Sequence, residues 1–181
     1  MLKLPLNFDA NEWFVLISLV SLMIIFIKVR KIFPRRMTIT ILLFFSVMGL
    51  FVDVIAGVDY PFNFYQIMDS LKLELFDVLV YAVNYSIYGY FFSYFILKWE
   101  MKRINLLLFI IIWSGITTLI EWISIKFHVF TYMNGWNIGF SSIAYMFIFT
   151  ISALFIKLFS YLWGNVRSES MCLKGAHDEN L

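Results

Sequence analysis

The stretch INLLLFIIIWSGITTLIEWISI, residues 104–125, decides the fold of this chain. It is long enough to span the hydrocarbon core of a bilayer, which requires about 20 mostly apolar residues in a helix. Its one charged residue is Glu121. Because a carboxylate near the middle of a membrane helix costs roughly 2.5–3.5 kcal/mol on insertion scales, such a residue usually faces a bundle interior or a polar cavity. The stretch therefore predicts a transmembrane helix with Glu121 on its inward face.

Four other runs share this apolar character, and the composition of the whole chain agrees with them. Hydrophobic residues make up 62% of the 181 positions, whereas soluble domains average about 45–50%. The mean hydropathy is +0.84. We predict an all-α, polytopic membrane protein in which residues 1–163 form five transmembrane helices, at about residues 13–27, 37–58, 75–97, 104–125 and 138–163. Residues 164–181 form a short polar tail that is expected to be disordered.

The lysine and arginine residues predict the orientation of this bundle. Ten of the 14 fall in the first loop, the third loop and the tail, which five helices place on the same side of the membrane. Lys3, Lys72 and Lys126 lie on the opposite side, and Lys157 lies inside the fifth run. Because cytoplasmic segments carry the excess of these residues, the N-terminus is predicted to lie outside and the tail in the cytoplasm.

Polar residues recur at steps of three and four along the runs, which places them on one face of each helix. Asp53 and Asp77 lie near the ends of the second and third runs, on the same outer side of the membrane as Glu121. We therefore expect an outward-facing acidic and aromatic pocket, in which the carboxylates are either functional or structural. Its candidate residues are Asp53, Asp77, Tyr81, Asn84, Glu121, Trp122, His128, Tyr132 and Trp136.

The chain contains few of the groups that catalysis or metal binding uses. It has no glycine-rich phosphate loop and no HExxH or GxSxG motif. Ser124 and His128 lie one helical turn apart, but this spacing is common by chance, so no catalytic residue is assigned. Cys172 is the only cysteine, which excludes zinc sites built on cysteine clusters. The sequence thus predicts no cofactor and no metal site. Anionic lipid explains the basic residues 28–36 better than nucleic acid does, because they flank a membrane helix.

Several of these motifs recur together in one group of small multi-pass membrane proteins. They are an acidic residue ending the second helix, an aromatic connection after it, and the residues Glu121-Trp122, Tyr132 and Trp136. Over residues 50–155 the chain resembles this uncharacterised CBO-type family, found mainly in spore-forming Gram-positive bacteria. The resemblance implies a multi-pass protein of the bacterial plasma membrane and implies no particular activity.

These observations favour a non-enzymatic binding, sensing or accessory subunit with an outward-facing acidic and aromatic pocket. Two other hypotheses stay open: a small proton- or cation-coupled transporter that acts as an oligomer, and an intramembrane enzyme that modifies lipids. The lipid bilayer is the expected partner, together with a second copy of the chain or a larger membrane protein. No nucleic-acid partner is expected.

Overall fold

The structure is a computed structural model that describes residues 8–57, 62–67 and 78–178. A π-helical segment, Val80–Tyr85, runs directly into the third helix. The helices are α1 (Ala10–Lys28), α2 (Arg35–Ala56), α3 (Ser86–Lys98), α4 (Arg103–Lys126) and α5 (Ile138–Asp178). Two short strands, β1 (Tyr65–Ile67) and β2 (Phe130–Tyr132), complete the described fold.

Among the residues that the structure describes, four helices are long and apolar enough to cross a membrane: α1, α2, α4 and the Ile138–Gly164 part of α5. At most 22% of the apolar window of any of them is buried within the chain. Many of the other apolar side chains on these helices are exposed, as contact with lipid would require. The chain is therefore mostly helical and carries helices of the kind that cross membranes, as the composition predicted.

Three features differ from what the sequence alone suggested. The third apolar run begins within residues 68–77, which lie outside the described residues, and continues as the π-helical segment and α3. Helix α5 continues past Gly164 to Asp178, so the tail that was expected to be disordered is helical to that point. The strands were absent from the all-α prediction, because three-residue strands are too short to show a periodic pattern.

Helix α3 lies at the centre of the bundle and packs against α1, α2 and α5. Phe92 and Ile96 of this helix have no exposed surface. Helix α2 approaches closely at Gly89, because a Cβ atom there would lie 2.0 Å from Cγ of the Phe45 ring. Small residues at such positions allow membrane helices to pack with their backbones close together.

One end of the bundle carries the two strands, and we call it the sheet end. The strands pair antiparallel, with Tyr65 opposite Tyr132. The connection to β1 is bound to α2, since the Phe64 amide donates a hydrogen bond to the Ala56 carbonyl at 2.8 Å. Val15 of α1 packs with Tyr65 at the same end. The carboxyl ends of α2 and α4 therefore meet the amino ends of α1 and α5 around one small sheet.

The opposite end, which we call the basic end, holds the cationic ends of the first four helices. Lys157 of α5 also reaches this end, where its ammonium group donates to the carbonyl oxygen of Met101 in the α3–α4 connection. Long lysine side chains can cross apolar surface in this way while the charged group finds polar partners. This contact explains why an otherwise apolar run contains a lysine.

The close approach at Gly89 leads to a stability prediction. The Gly89→Ala substitution should lower the free energy of unfolding by about 1–3 kcal/mol, because the added methyl group must displace the buried Phe45 ring. Thermal unfolding of the detergent-solubilised protein measures the effect. Gly115→Ala is the matched control, since nothing lies within 4 Å of a Cβ atom at Gly115. Equal stability of the two variants would contradict the close packing of α2 on α3.

Candidate functional site

Two carboxylates from different helices line the same small cavity at the sheet end of the bundle. Asp53 lies in the last turn of α2, and Glu121 lies in the last two turns of α4. Both are buried, with 8% and 6% of their surfaces exposed. The cavity between them has a volume of about 70 Å³. Its other polar and aromatic lining residues are Tyr65, Tyr85, Phe130, Trp136, Ser141 and Tyr145.

Glu121 accepts two hydrogen bonds on the same oxygen atom. The Tyr132 hydroxyl donates to Oε1 at 2.9 Å, and the Ser141 hydroxyl donates to it at 2.8 Å. Because the Ser141 proton is directed at Glu121, the Ser141 oxygen is left to accept the indole N–H of Trp136 at 2.9 Å. The donors thus form a directed chain that ends at the carboxylate. Hydrogen bonds donated to a carboxylate stabilise its charged form.

The second oxygen of Glu121 has a different environment. The Tyr145 hydroxyl interacts with the carboxylate, but no described group makes a hydrogen bond of normal geometry to Oε2, which is buried. One oxygen is thus fully used by the protein, and the other is available to a group that enters the cavity. A buried acceptor without a partner costs the folded protein about 1–3 kcal/mol, so a ligand that donates a hydrogen bond to Oε2 would recover part of that cost.

Asp53 also accepts a hydrogen bond from a tyrosine of the sheet, in this case a residue of β1. The Tyr65 hydroxyl donates to Asp53 Oδ1. Burial, together with the negative charge of Asp53, raises the pKa of Tyr65 well above its ordinary value. Burial also raises the pKa of Tyr132. Both hydroxyl groups therefore stay protonated at neutral pH and remain hydrogen-bond donors.

Two further cavities adjoin the one between the carboxylates. A cavity of about 130 Å³, walled mainly by α2, α3 and α5, is also lined by Asp53. A larger groove of about 380 Å³, walled by α1, the π-helical segment and α4, is also lined by Glu121. Tyr85 and Tyr145 line all three spaces. The two tyrosines consequently lie where the three spaces adjoin, between the region around Asp53 and the region around Glu121.

The structure brings together some of the residues that the sequence singled out and leaves others apart. Asp53, Glu121 and Trp136 line one cavity, and Tyr132 binds Glu121. Trp122 is half exposed on the outer surface of α4, and His128 is exposed in the turn after that helix. Asn84 lines the larger groove instead. Asp77 and the side chain of Tyr81 lie outside the described residues.

The candidate residues predicted from the sequence did not include four residues that line the cavity: Tyr65, Tyr85, Ser141 and Tyr145. Ser141 and Tyr145 are four positions apart in α5, so their shared face was a detectable signal. Spacing alone also permits Ser142, three positions from Tyr145, because a single helix does not reveal which of two adjacent serines faces inward. Tyr65 gave no local signal, since its position depends on strand pairing with a segment distant in the chain.

Comparison of the chain with models of protein families, with curated proteins and with solved structures gives no match. The chemistry of the site is therefore argued from its own geometry. Within residues 8–57, 62–67 and 78–178, no group of three or more His, Cys, Asp or Glu side chains is arranged to hold a metal ion. The two carboxylates with their tyrosine hydroxyls are suited to binding a cation or a hydrogen-bond donor.

The bond between Ser141 and Glu121 leads to a prediction for this site. Ser141→Ala should lower the free energy of unfolding by about 1–3 kcal/mol, because both Glu121 and the Trp136 indole lose a buried partner. In a double-mutant cycle with Glu121→Gln, the two effects should be non-additive. Ser142→Ala is the control, since this neighbouring serine is only partly buried. Additive effects in the cycle would contradict the directed chain of hydrogen bonds.

Proposed function

We propose that five helices of this chain cross a bacterial plasma membrane, with the sheet end outside and the basic end in the cytoplasm. The fifth crossing is made by the central helix, which the π-helical segment Val80–Tyr85 extends beyond α3. Helix α3 alone has 13 residues, which is too short to cross a bilayer without this extension. The distribution of lysine and arginine supports the orientation, and the resemblance to the CBO-type family supports the location.

The orientation can be tested through Cys172, the only cysteine of the chain. In intact bacterial cells, a membrane-impermeant maleimide should leave Cys172 unlabelled, because the tail is in the cytoplasm. Permeabilised cells should give full labelling. The control is a Cys172→Ser variant with cysteine introduced at Asn134, an exposed residue of the sheet end. That variant should label in intact cells, and the reverse pattern would overturn the orientation.

We further propose that the sheet-end pocket binds a small organic cation, so that the protein acts as a binding, sensing or accessory subunit. The observation that carries this proposal is that Asp53 and Glu121 line one cavity together with three tyrosines. No lysine, arginine or histidine is among the described residues that line it. Carboxylates attract a cation by charge, and the faces of aromatic rings attract it through their π electrons.

The packing of the bundle supports binding more than transport. Towards the basic end, the space between the helices is filled by Phe92, Ile96 and Ile156, each without exposed surface. A ligand in the cavity would thus meet close-packed apolar side chains on the cytoplasmic side. A cavity that is blocked by packed side chains toward the basic end and lies at the sheet end is typical of a binding site reached from the sheet end.

Binding of butylammonium to the purified protein tests this function. The cation should raise the melting temperature in a concentration-dependent way, because a ligand that binds only the folded state stabilises it. 1-Butanol and butyrate, the neutral and anionic counterparts, should have little effect. Asp53→Asn and Glu121→Gln should each weaken the response, whereas Glu100→Gln at the exposed α3–α4 connection should not.

Two outcomes would contradict the proposed function. Equal responses to butylammonium and 1-butanol would show that the positive charge is not recognised. An unchanged butylammonium response in a folded Glu121→Gln or Asp53→Asn protein would place binding elsewhere. Testing the two substitutions separately keeps the experiment informative if either variant fails to fold.

A further inference from the structure

The groove next to Glu121 is the largest of the three spaces at the site, and its walls are mostly apolar. Its volume of about 380 Å³ lies at the lower end of the range for small-molecule sites, about 300–1,000 Å³. Ile25 of α1 and Ile120 of α4 line it, and 48% and 43% of their surfaces are exposed. The groove is therefore open along the surface of the bundle between these two helices.

Aromatic rings cover the groove at the sheet end. Phe14 near the start of α1 stacks on Phe127 just after α4, with ring centroids 4.8 Å apart and planes at 22°. Phe14 and Val129 also line the groove. Because this end is covered while the side between α1 and α4 is open, the groove opens towards the apolar surfaces of two membrane-crossing helices. A molecule dissolved in the bilayer has direct access to it.

Glu121 and Asn84 line this groove, and each has a buried acceptor atom, Oε2 and Oδ1, that receives no hydrogen bond of normal geometry from the described residues. The Tyr145 hydroxyl, which also lines the groove, interacts with the Glu121 carboxylate. Only 6% of Glu121 and 9% of Asn84 are exposed. The orientation of the Asn84 amide is fixed by its neighbour. The Ser18 hydroxyl donates to the Val15 carbonyl at 2.8 Å, so its oxygen must accept from Asn84 Nδ2, at 2.9 Å. The amide oxygen is thereby left facing away from Ser18 and unpaired.

We propose that this groove binds a single-chain amphiphile with a primary ammonium group. The ammonium group donates hydrogen bonds to Glu121 Oε2, with Asn84 Oδ1 as a second acceptor, and the alkyl chain lies between α1 and α4. This inference rests on the proposed function, because it takes Glu121 as a cation-binding carboxylate and adds a site for an alkyl chain in the groove next to it. An ammonium group has three donors and a positive charge, which matches two acceptors and one carboxylate.

Other membrane amphiphiles match the groove less well. A phosphate or a fatty-acid carboxylate needs a cationic partner, and no lysine, arginine or histidine is among the described residues that line the groove. A two-chain phospholipid also exceeds what a space of about 380 Å³ accommodates with its head group. A long-chain alcohol could donate one hydrogen bond but would leave the charge of Glu121 unbalanced.

A photoreactive tetradecylamine with a diazirine in the middle of its chain tests the proposal in lipid nanodiscs. After irradiation, mass spectrometry of peptides should find adducts concentrated on the groove residues Leu22, Ile25 and Ile120. Unlabelled dodecylamine should compete for these sites, whereas dodecanol and dodecanoate should not. Glu121→Gln should reduce labelling of the groove by about fivefold or more, because the ammonium group loses its charged partner.

A second pair of variants keeps the carboxylates intact. Ile25→Trp places a large side chain in the groove and should abolish labelling there while leaving the butylammonium response unchanged. Ile24→Trp is the matched control, since Ile24 is similarly exposed, at 47%, and does not line the groove. It should label like the wild type.

The outcomes separate this inference from the proposed function. Labelling spread over exposed positions such as Leu119 and Leu154, or groove labelling that Glu121→Gln does not reduce, would overturn the amphiphile proposal. If butylammonium still stabilises the protein in that case, the cation pocket stands without the groove. Absence of both responses would overturn both proposals.

Discussion

The pairing of Tyr65 with Tyr132 across the two-stranded sheet is the contact on which the site depends. Residues opposite each other in an antiparallel pair project to the same face. One hydroxyl donates to Asp53 at the end of α2, and the other donates to Glu121 at the end of α4. Buried charges are tolerated only when polar partners compensate for lost hydration. A sheet of three residue pairs thus supplies partners for two carboxylates on helices far apart in the sequence.

The central helix adapts to this arrangement through its π-helical segment. The wider turns of Val80–Tyr85 present Asn84 to the groove and Tyr85 to all three cavities. The Tyr85 ring can lie against α2 because Gly49 has no side chain, and a Cβ atom there would be 2.2 Å from the ring. π-Helical turns occur frequently at functional sites, where they redirect side chains that a regular helix would place elsewhere.

Apolar run length predicted four of the helices well, because crossing a membrane imposes a length and a composition that are visible in the sequence. Helix α4 begins and ends within one residue of the predicted run. The inward positions of Asp53 and Glu121 followed from the cost of burying charge. Trp122 lies one position from Glu121, on the exposed side of α4. His128 was predicted to share the Glu121 face by helical spacing, but α4 ends at Lys126, so His128 lies in the exposed turn that follows. The aromatic connection that contains Tyr65 was expected beside the pocket, but the contact of Tyr65 with Asp53 was not predictable, since it depends on a long-range strand pair.

The hydrogen-bond chain from Trp136 through Ser141 to Glu121 connects an indole ring to the charge of the pocket. The same ring stacks on Phe64 at 4.5 Å and is thereby held in one orientation. A change of charge or occupancy at Glu121 alters the polarisation of Ser141 and, through it, the electric field at the indole N–H. Because the fluorescence emission of an indole is sensitive to such fields, the emission of Trp136 should report changes of charge or occupancy at Glu121.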